Sequence, residues 1–240
     1  MNTASTIVII GGGSGIGLAV ARRCLADGAP VVIASRSLGR LEEAAAELGH
    51  PAGLAAVPAD ISDRAQLARL FEAAGSLAHL VITAADLPYG PAATLTEDQM
   101  MRAVRSKITG PLLAAQLAAQ RITGPGSITF TSGVAAYRPA PGGALAAIAN
   151  GALESMVRAL ALELAPVRVN AVSPGWVDTP VWDNIAAPET KRERLTAMAA
   201  RLPGGRIGRP DDIANAISFL ISDAFITGTV LHAEGAQLLV

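Results

Sequence analysis

The sequence predicts an α/β fold: a single domain on a doubly wound, parallel sheet of about seven strands. Three observations carry this. The chain has 240 residues, which at ~150 residues per domain allows one large unit. Seven short apolar runs alternate with longer stretches of helical periodicity. Several of those runs are apolar on both faces, the pattern of parallel strands covered by helices on two sides.

The strands are expected at Thr6–Ile10, Pro30–Ala34, Leu54–Val57, Leu77–Thr83, Ser127–Thr131, Val167–Val172 and Thr229–Ala233. Between them, helical patterns cover Ile16–Asp27, Leu38–Leu48, Arg64–Ala74, Glu97–Arg121, Leu145–Leu164 and Asp211–Ile221. Asp63 and Thr96 suit N-caps, and Pro210 sits just ahead of the last helix. Each helix is long enough to return the chain to the sheet as a crossover. No repeat or linker interrupts residues 1–240. The least regular stretch, Val181–Arg209, holds Pro188, Pro203, Gly204 and Gly205. It is expected to form a mobile, irregular substrate lid between the sixth and seventh strands.

Composition narrows the function classes. Hydrophobic residues are 51% and charged residues 16%, which excludes a disordered chain. The 19 Lys+Arg against 20 Asp+Glu leave a net charge of −1, too neutral for nucleic-acid binding through phosphate contacts. Cys24 is the one cysteine, so no internal disulfide forms and a reducing compartment is favoured. His50, His79 and His232 lie far apart without metal-ligand spacing, and no metal is expected. Apolar runs fall short of the ~20 residues of a membrane span. The N-terminus lacks the charged region of a signal peptide. A soluble cytoplasmic protein without nucleic-acid or membrane partners is the expectation.

The first strand runs into Gly11-Gly12-Gly13-Ser14-Gly15-Ile16-Gly17 and then a helix. Glycines let the backbone approach a pyrophosphate, and the helix start turns unpaired N–H groups toward it. The strand–glycine–helix context is what gives such a motif weight. The second strand ends Ala34-Ser35-Arg36. An NAD site places a carboxylate there for the ribose 2′-hydroxyl. A hydroxyl followed by a guanidinium instead suits a 2′-phosphate, so NADP(H) is favoured over NAD(H). Asp60, after the third strand, is placed to reach the adenine edge with Ile61 beside it.

With these residues in view, the sequence resembles the short-chain dehydrogenase/reductase family over nearly its whole length. Matching pieces are Gly11-x-x-x-Gly15-Ile16-Gly17, Asp60-Ile61-Ser62, Ile108-Thr109-Gly110-Pro111, the run Asn170 to Thr179, Gly208 to Ile213, Phe219 to Asp223, and Ile226-Thr227-Gly228. The resemblance implies a Rossmann-type domain, a nicotinamide cofactor, a small-molecule substrate and a homodimer or homotetramer. The helices Glu97–Arg121 and Leu145–Leu164 look like the family's dimer seam. Pro174, Gly175, Val177 and Thr179 look like the clamp on the nicotinamide carboxamide. Ala84 keeps the Ala of the family's Asn-Asn-Ala-Gly run and is expected beside the cofactor.

The family's chemistry uses Ser, Tyr and Lys supported by an Asn. The register anchored on Ala152-Leu153-Glu154 and Arg158 to Leu164 puts Gly133 at the Ser position, Ala146 at the Tyr position, Asn150 at the Lys position and Lys107 at the Asn position. Sliding it by one puts Ser132, Leu145 and Ala149 at the first three, still without the acid or its lysine. The cofactor half is thus written out and the proton-transfer half is not.

Replacement candidates follow. Lys107 and Asn150 exchange the family's Asn and Lys, so Lys107 could return a cation, or a proton near neutrality, to the site. A structural role bonding carbonyls is the alternative for it. Ser132 could orient a substrate oxygen, or merely satisfy backbone. Tyr137 and Tyr89 are the only tyrosines; either phenol could act as acid, although loop aromatics more often form walls. Asp86 reads as a solvated loop residue, Trp176 and Trp182 as apolar wall, and Cys24 as a buried small residue. Three functions stand open: an NADP(H)-dependent oxidoreductase on a small carbonyl or alcohol with a non-standard proton donor, a catalytically degenerate NADP(H)-binding or regulatory scaffold, and a non-redox lyase or cyclase.

Overall fold

The computed structural model describes residues 6–184 and 187–240. Seven parallel strands form one sheet: β1 (Thr6–Ile10), β2 (Val31–Ser35), β3 (Leu54–Pro58), β4 (Leu77–Ile82), β5 (Ile122–Thr131), β6 (Arg168–Pro174) and β7 (Val230–Ala233). Their spatial order is β3-β2-β1-β4-β5-β6-β7. The order reverses between β1 and β4, where Val8 pairs with Val32 on one side and Leu80 on the other. Ligands of such sheets bind at that switch point, beyond the carboxyl ends of the strands.

Helices cover both faces. α1 (Gly15–Ala26), α2 (Leu38–Glu47) and α8 (Pro210–Ser222) pack on one, burying Leu18, Leu41 and Ile217 against β1 and β2 residues. On the other lie α3 (Arg64–Ala74), α5 (Gly110–Ala119) and α6 (Ala144–Glu163), burying Phe71, Ala114 and Leu153 against Leu80 and Phe130. Residues such as Val8 and Ile9 are sealed on opposite faces of one strand, which is why the runs are apolar throughout.

The expected caps form. Asp63 accepts from the Ala65 and Gln66 N–H groups, and Thr96 makes a capping box with Gln99. Pro210 occupies the first helical turn of α8.

Three expectations are corrected. The single helix expected over Glu97–Arg121 is α4 (Glu97–Val104), a π-helical turn at Arg105–Thr109, and then α5. Periodicity cannot reveal the one-residue slip of a π turn, a feature frequent at functional sites. The stretch expected to be irregular contains a short 3₁₀ turn, Pro180–Asn184, and a regular helix α7, Pro188–Arg201. Among its side chains only Leu195 is buried, so no apolar stripe marks it in the sequence. Finally, α6 is by length and composition apolar enough to cross a membrane, contrary to the reading of the runs. In the fold it is a core helix, with Leu145, Leu153, Val157 and Leu160 buried.

The glycine turn shows why glycine is required. Gly11 has φ +99°, a left-handed conformation costly for other residues. At Gly17 a Cβ would lie 2.2 Å from the Gly11 carbonyl oxygen and 2.7 Å from Thr83 Oγ1, so α1 sits on β1 at a distance only hydrogen allows. Gly17→Ala is expected to destabilise the fold by about 2 kcal/mol or more, because backbone is the obstruction. Urea unfolding checks this; a midpoint unchanged from wild type would contradict the packing described.

Candidate active site

A cavity of ≈ 710 Å³ opens at the carboxyl edge of the sheet around the switch point, within the size range of small-molecule sites. Among the expected cofactor residues, Gly11, Ser14, Gly15, Ile16, Ser35, Arg36, Asp60, Ile61, Ala84, Pro174, Gly175, Val177 and Thr179 all line it. Gly17 does not; its role is the close α1–β1 contact.

At one end α1 begins on the Ser14 N-cap, which makes no side-chain cap hydrogen bond, and the first turn carries no acid. Its unpaired N–H groups and positive dipole end are therefore left for an anion. The β2 end presents Ser35, Arg36, Ser37 and Arg40 to the same cavity and no carboxylate of its own. Arg40 escaped the sequence reading because it lies inside α2 rather than at the strand end.

Arg36 is not a free loop cation. Its guanidinium donates to Asp86 Oδ2 at 3.1 Å, and Arg102 of α4 donates to Asp86 Oδ1 at 2.7 Å. Asp86 is thus no solvated residue. Its side chain is 22% exposed, and its N–H donates to Ser106 Oγ at 3.0 Å. Burial alone would raise its carboxyl, but hydrogen bonds from Arg102 and Arg36 outweigh that and hold it below the usual carboxylate range.

At the other end the π turn puts Lys107 on the cavity wall. Lys107 is 4% exposed, and its Nζ donates to the Thr131 carbonyl at 2.5 Å. Burial lowers its pKa to about 8. Asn150 of α6, 5% exposed, faces the same cavity, with Nδ2 donating to the Gly133 carbonyl at 3.4 Å. Asn150 Oδ1 and Thr131 Oγ1 are buried without a hydrogen-bond partner among the described residues. Gly133 and Asn150 are coupled: a Cβ at 133 would lie 2.8 Å from Asn150 Nδ2.

Two expected catalytic hydroxyls are spent elsewhere. Ser132 Oγ donates to Glu154 Oε1 at 2.7 Å, and Tyr137 OH donates to Glu154 Oε2 at 2.5 Å. Tyr137 does not line the cavity. It stands 45% exposed and packs edge-on against His232 at 4.9 Å. Desolvation, then its bond to Glu154, pushes its pKa up to about 12, which makes it a poor acid at neutrality. Glu154, 5% exposed, was missed by the sequence reading. Its spacing was the available signal: Ala146, Asn150 and Glu154 recur every four residues on one helical stripe.

The remaining wall is apolar and aromatic. The rings of Trp176 and Trp182 meet at a tilt of 57°, 4.7 Å between centroids, Trp182 Nε1 donates to the Val177 carbonyl at 2.9 Å, and both line the cavity as expected. Tyr89 is the one phenol among the described lining residues; desolvation raises its pKa.

These features have close counterparts. A family profile described as enoyl-(acyl carrier protein) reductase matches residues 11–235. A short-chain dehydrogenase/reductase of Stachybotrys chlorohalonatus is 36% identical, covering 98% of this chain and 97% of its own. The solved structure of a small-chain dehydrogenase in complex with NADPH is 32% identical, with a TM-score of 0.86 over 98% of this chain and 99% of that one. The structure of MalC reductase/Diels-Alderase from Malbranchea aurantiaca is 34% identical, with a TM-score of 0.91 over 99% and 96%. Sheet order, glycine turn and matched length agree with one assignment: the chain belongs to the short-chain dehydrogenase/reductase family.

Proposed function

We propose that this protein is an NADP(H)-dependent oxidoreductase acting on a small carbonyl or alcohol, with Lys107 as its proton donor. The observation that carries the reading is the buried ammonium on the cavity wall, held by one carbonyl and softened by desolvation. The nicotinamide cofactor, when bound, supplies or accepts a hydride. The residues fit it: the open N-terminus of α1 for the pyrophosphate, and Ser35, Arg36 and Arg40 for a 2′-phosphate. Pro174, Gly175, Val177 and Thr179 would hold the carboxamide end.

Lys107 does two things in reduction. Its charge stabilises the oxygen of the carbonyl as negative charge develops there, and its N–H then protonates that oxygen. A donor titrating near 8 is charged at neutrality yet able to release a proton. Exposed Leu112 on α5 and Ile148 on α6 support the homo-oligomer that the family resemblance implies. A non-redox second reading has one observation in its favour: the similar MalC protein is described as both reductase and Diels-Alderase. NADPH oxidation with a panel of aldehydes and ketones decides; product formed without cofactor consumption favours the second reading, and cofactor binding without any product favours a degenerate scaffold.

Lys107→Met is expected to lower carbonyl-dependent NADPH oxidation by about 10²–10⁴-fold while changing NADPH affinity far less. Unaltered turnover removes Lys107 from the mechanism. The wild-type reduction rate should fall as pH rises through about 8, where Lys107 loses its proton. The unfolded lysine titrates near its ordinary 10.5. The unfolded state therefore binds more protons between those values, so stability should rise with pH across that window. By the same token Lys107→Met should raise the melting temperature at pH 7, removing a burial cost of about 1–3 kcal/mol. Arg36→Ala should weaken NADPH binding about 10-fold or more, the worth of a charged hydrogen bond, and leave NADH nearly unaffected. Equal losses for both dinucleotides would contradict the assignment of the 2′-phosphate.

A further inference from the structure

The ionisable residues lining the cavity divide by position. Around the β2 end lie cations and acids together: Arg36, Arg40, Asp60 and Asp86. Around the β5–α6 and lid side lie only cations, Lys107, Arg138 and Arg194, and no carboxylate among the described residues lines this half. Glu154 does not offset them, because it lies behind the lining with both oxygens taken by Ser132 and Tyr137.

Arg138 and Arg194 approach from separate elements. Arg138 sits in the loop after β5, and one of its guanidinium nitrogens donates to a main-chain oxygen of Val240, the last residue of the sequence. A guanidinium has five N–H donors, so most of the fork remains. Arg194 is on α7 and has no ionic or hydrogen-bonding partner among the described residues. One turn earlier Lys191 is tied to Asp178 at 3.4 Å and Asp183 at 3.0 Å. That pairing links α7 to the turn before it, and the one ammonium offsets one of the two acids there. The same cavity is lined by Tyr89, Val134, Ala146, Trp176 and Trp182. Two exposed guanidiniums, an apolar and aromatic wall and a buried ammonium lining one cavity match a ligand with a carbonyl at one end, a flat apolar body and an oxyanion at the other.

Building on the oxidoreductase reading, we propose that the substrate is an aryl or otherwise apolar carbonyl compound bearing a carboxylate, seated between Arg138 and Arg194. The acid group lies between the two guanidiniums, while the carbonyl oxygen lies toward Lys107.

The test compares 4-carboxybenzaldehyde with its methyl ester as substrates, and 4-(hydroxymethyl)benzoate with its methyl ester as ligands of the NADP⁺-saturated protein. Binding is read by tryptophan fluorescence. The acid is expected to exceed the ester by about tenfold in kcat/KM and in affinity, an advantage that shrinks with added salt. In the Arg138→Gln/Arg194→Gln double variant the acid should fall to the level of the ester. Arg194→Glu, at an exposed position that leaves the fold intact, should turn the preference toward a trimethylammonium-bearing benzaldehyde. Equal performance of acid and ester in the wild type, or an acid preference that survives the double variant, overturns the proposal. Preferential binding of the acid without any NADPH oxidation keeps the proposal and sinks the oxidoreductase reading; turnover of both compounds without preference does the reverse.

Discussion

The site is organised by one unfavourable act, the burial of the Lys107 ammonium. A cation removed from water must be compensated by neighbours, and here the compensation is a single main-chain carbonyl at the end of β5. That contact requires the side chain to leave the helical face it would otherwise occupy, and the π turn at Arg105–Thr109 supplies the rotation. It also requires that no second cation share the floor, and Asn150 on the facing helix meets that condition. The local irregularity, the polar pairing and the softened basicity of Lys107 are therefore one arrangement seen from three sides.

The opposite end of the cavity is governed by sharing rather than by burial. Asp86 joins the β2 end, the loop after β4 and α4 through two guanidiniums, and Ser106 fastens its backbone from the π turn. The β2 end and the Lys107 end are consequently linked through one short loop. Two loops at the cavity edge are joined as well, by the Gly90 N–H bond to the Gly142 carbonyl at 3.0 Å.

Much of this was legible in the sequence where the physics is local. Apolar runs located all seven strands, the fifth only in its last half because residues 122–126 carry Gly124, Pro125 and Gly126, and the glycine turn between strand and helix was visible, because both follow from backbone sterics and burial. Side-chain partners were less legible. Tyr137 reads as a loop phenol near the sheet edge, but nothing in its neighbourhood reveals that Glu154, seventeen residues on, takes its hydroxyl. Asp86 reads as solvated because its two partners lie far away in sequence. α7 was invisible because a helix with one buried side chain leaves no stripe, and its Arg194 was therefore not read as part of the cavity.

Gly133 and Asn150 carry a consequence for how such a site can change. A Cβ at 133 would lie 2.8 Å from Asn150 Nδ2, the far end of a side chain, so a residue there is accommodated by a turn of the Asn150 amide. A lysine at 150 would in turn face Lys107 across a floor that offers a single carbonyl. Charge at 107 and charge at 150 are therefore exclusive: whichever of the two positions carries a cation leaves the other to a neutral side chain.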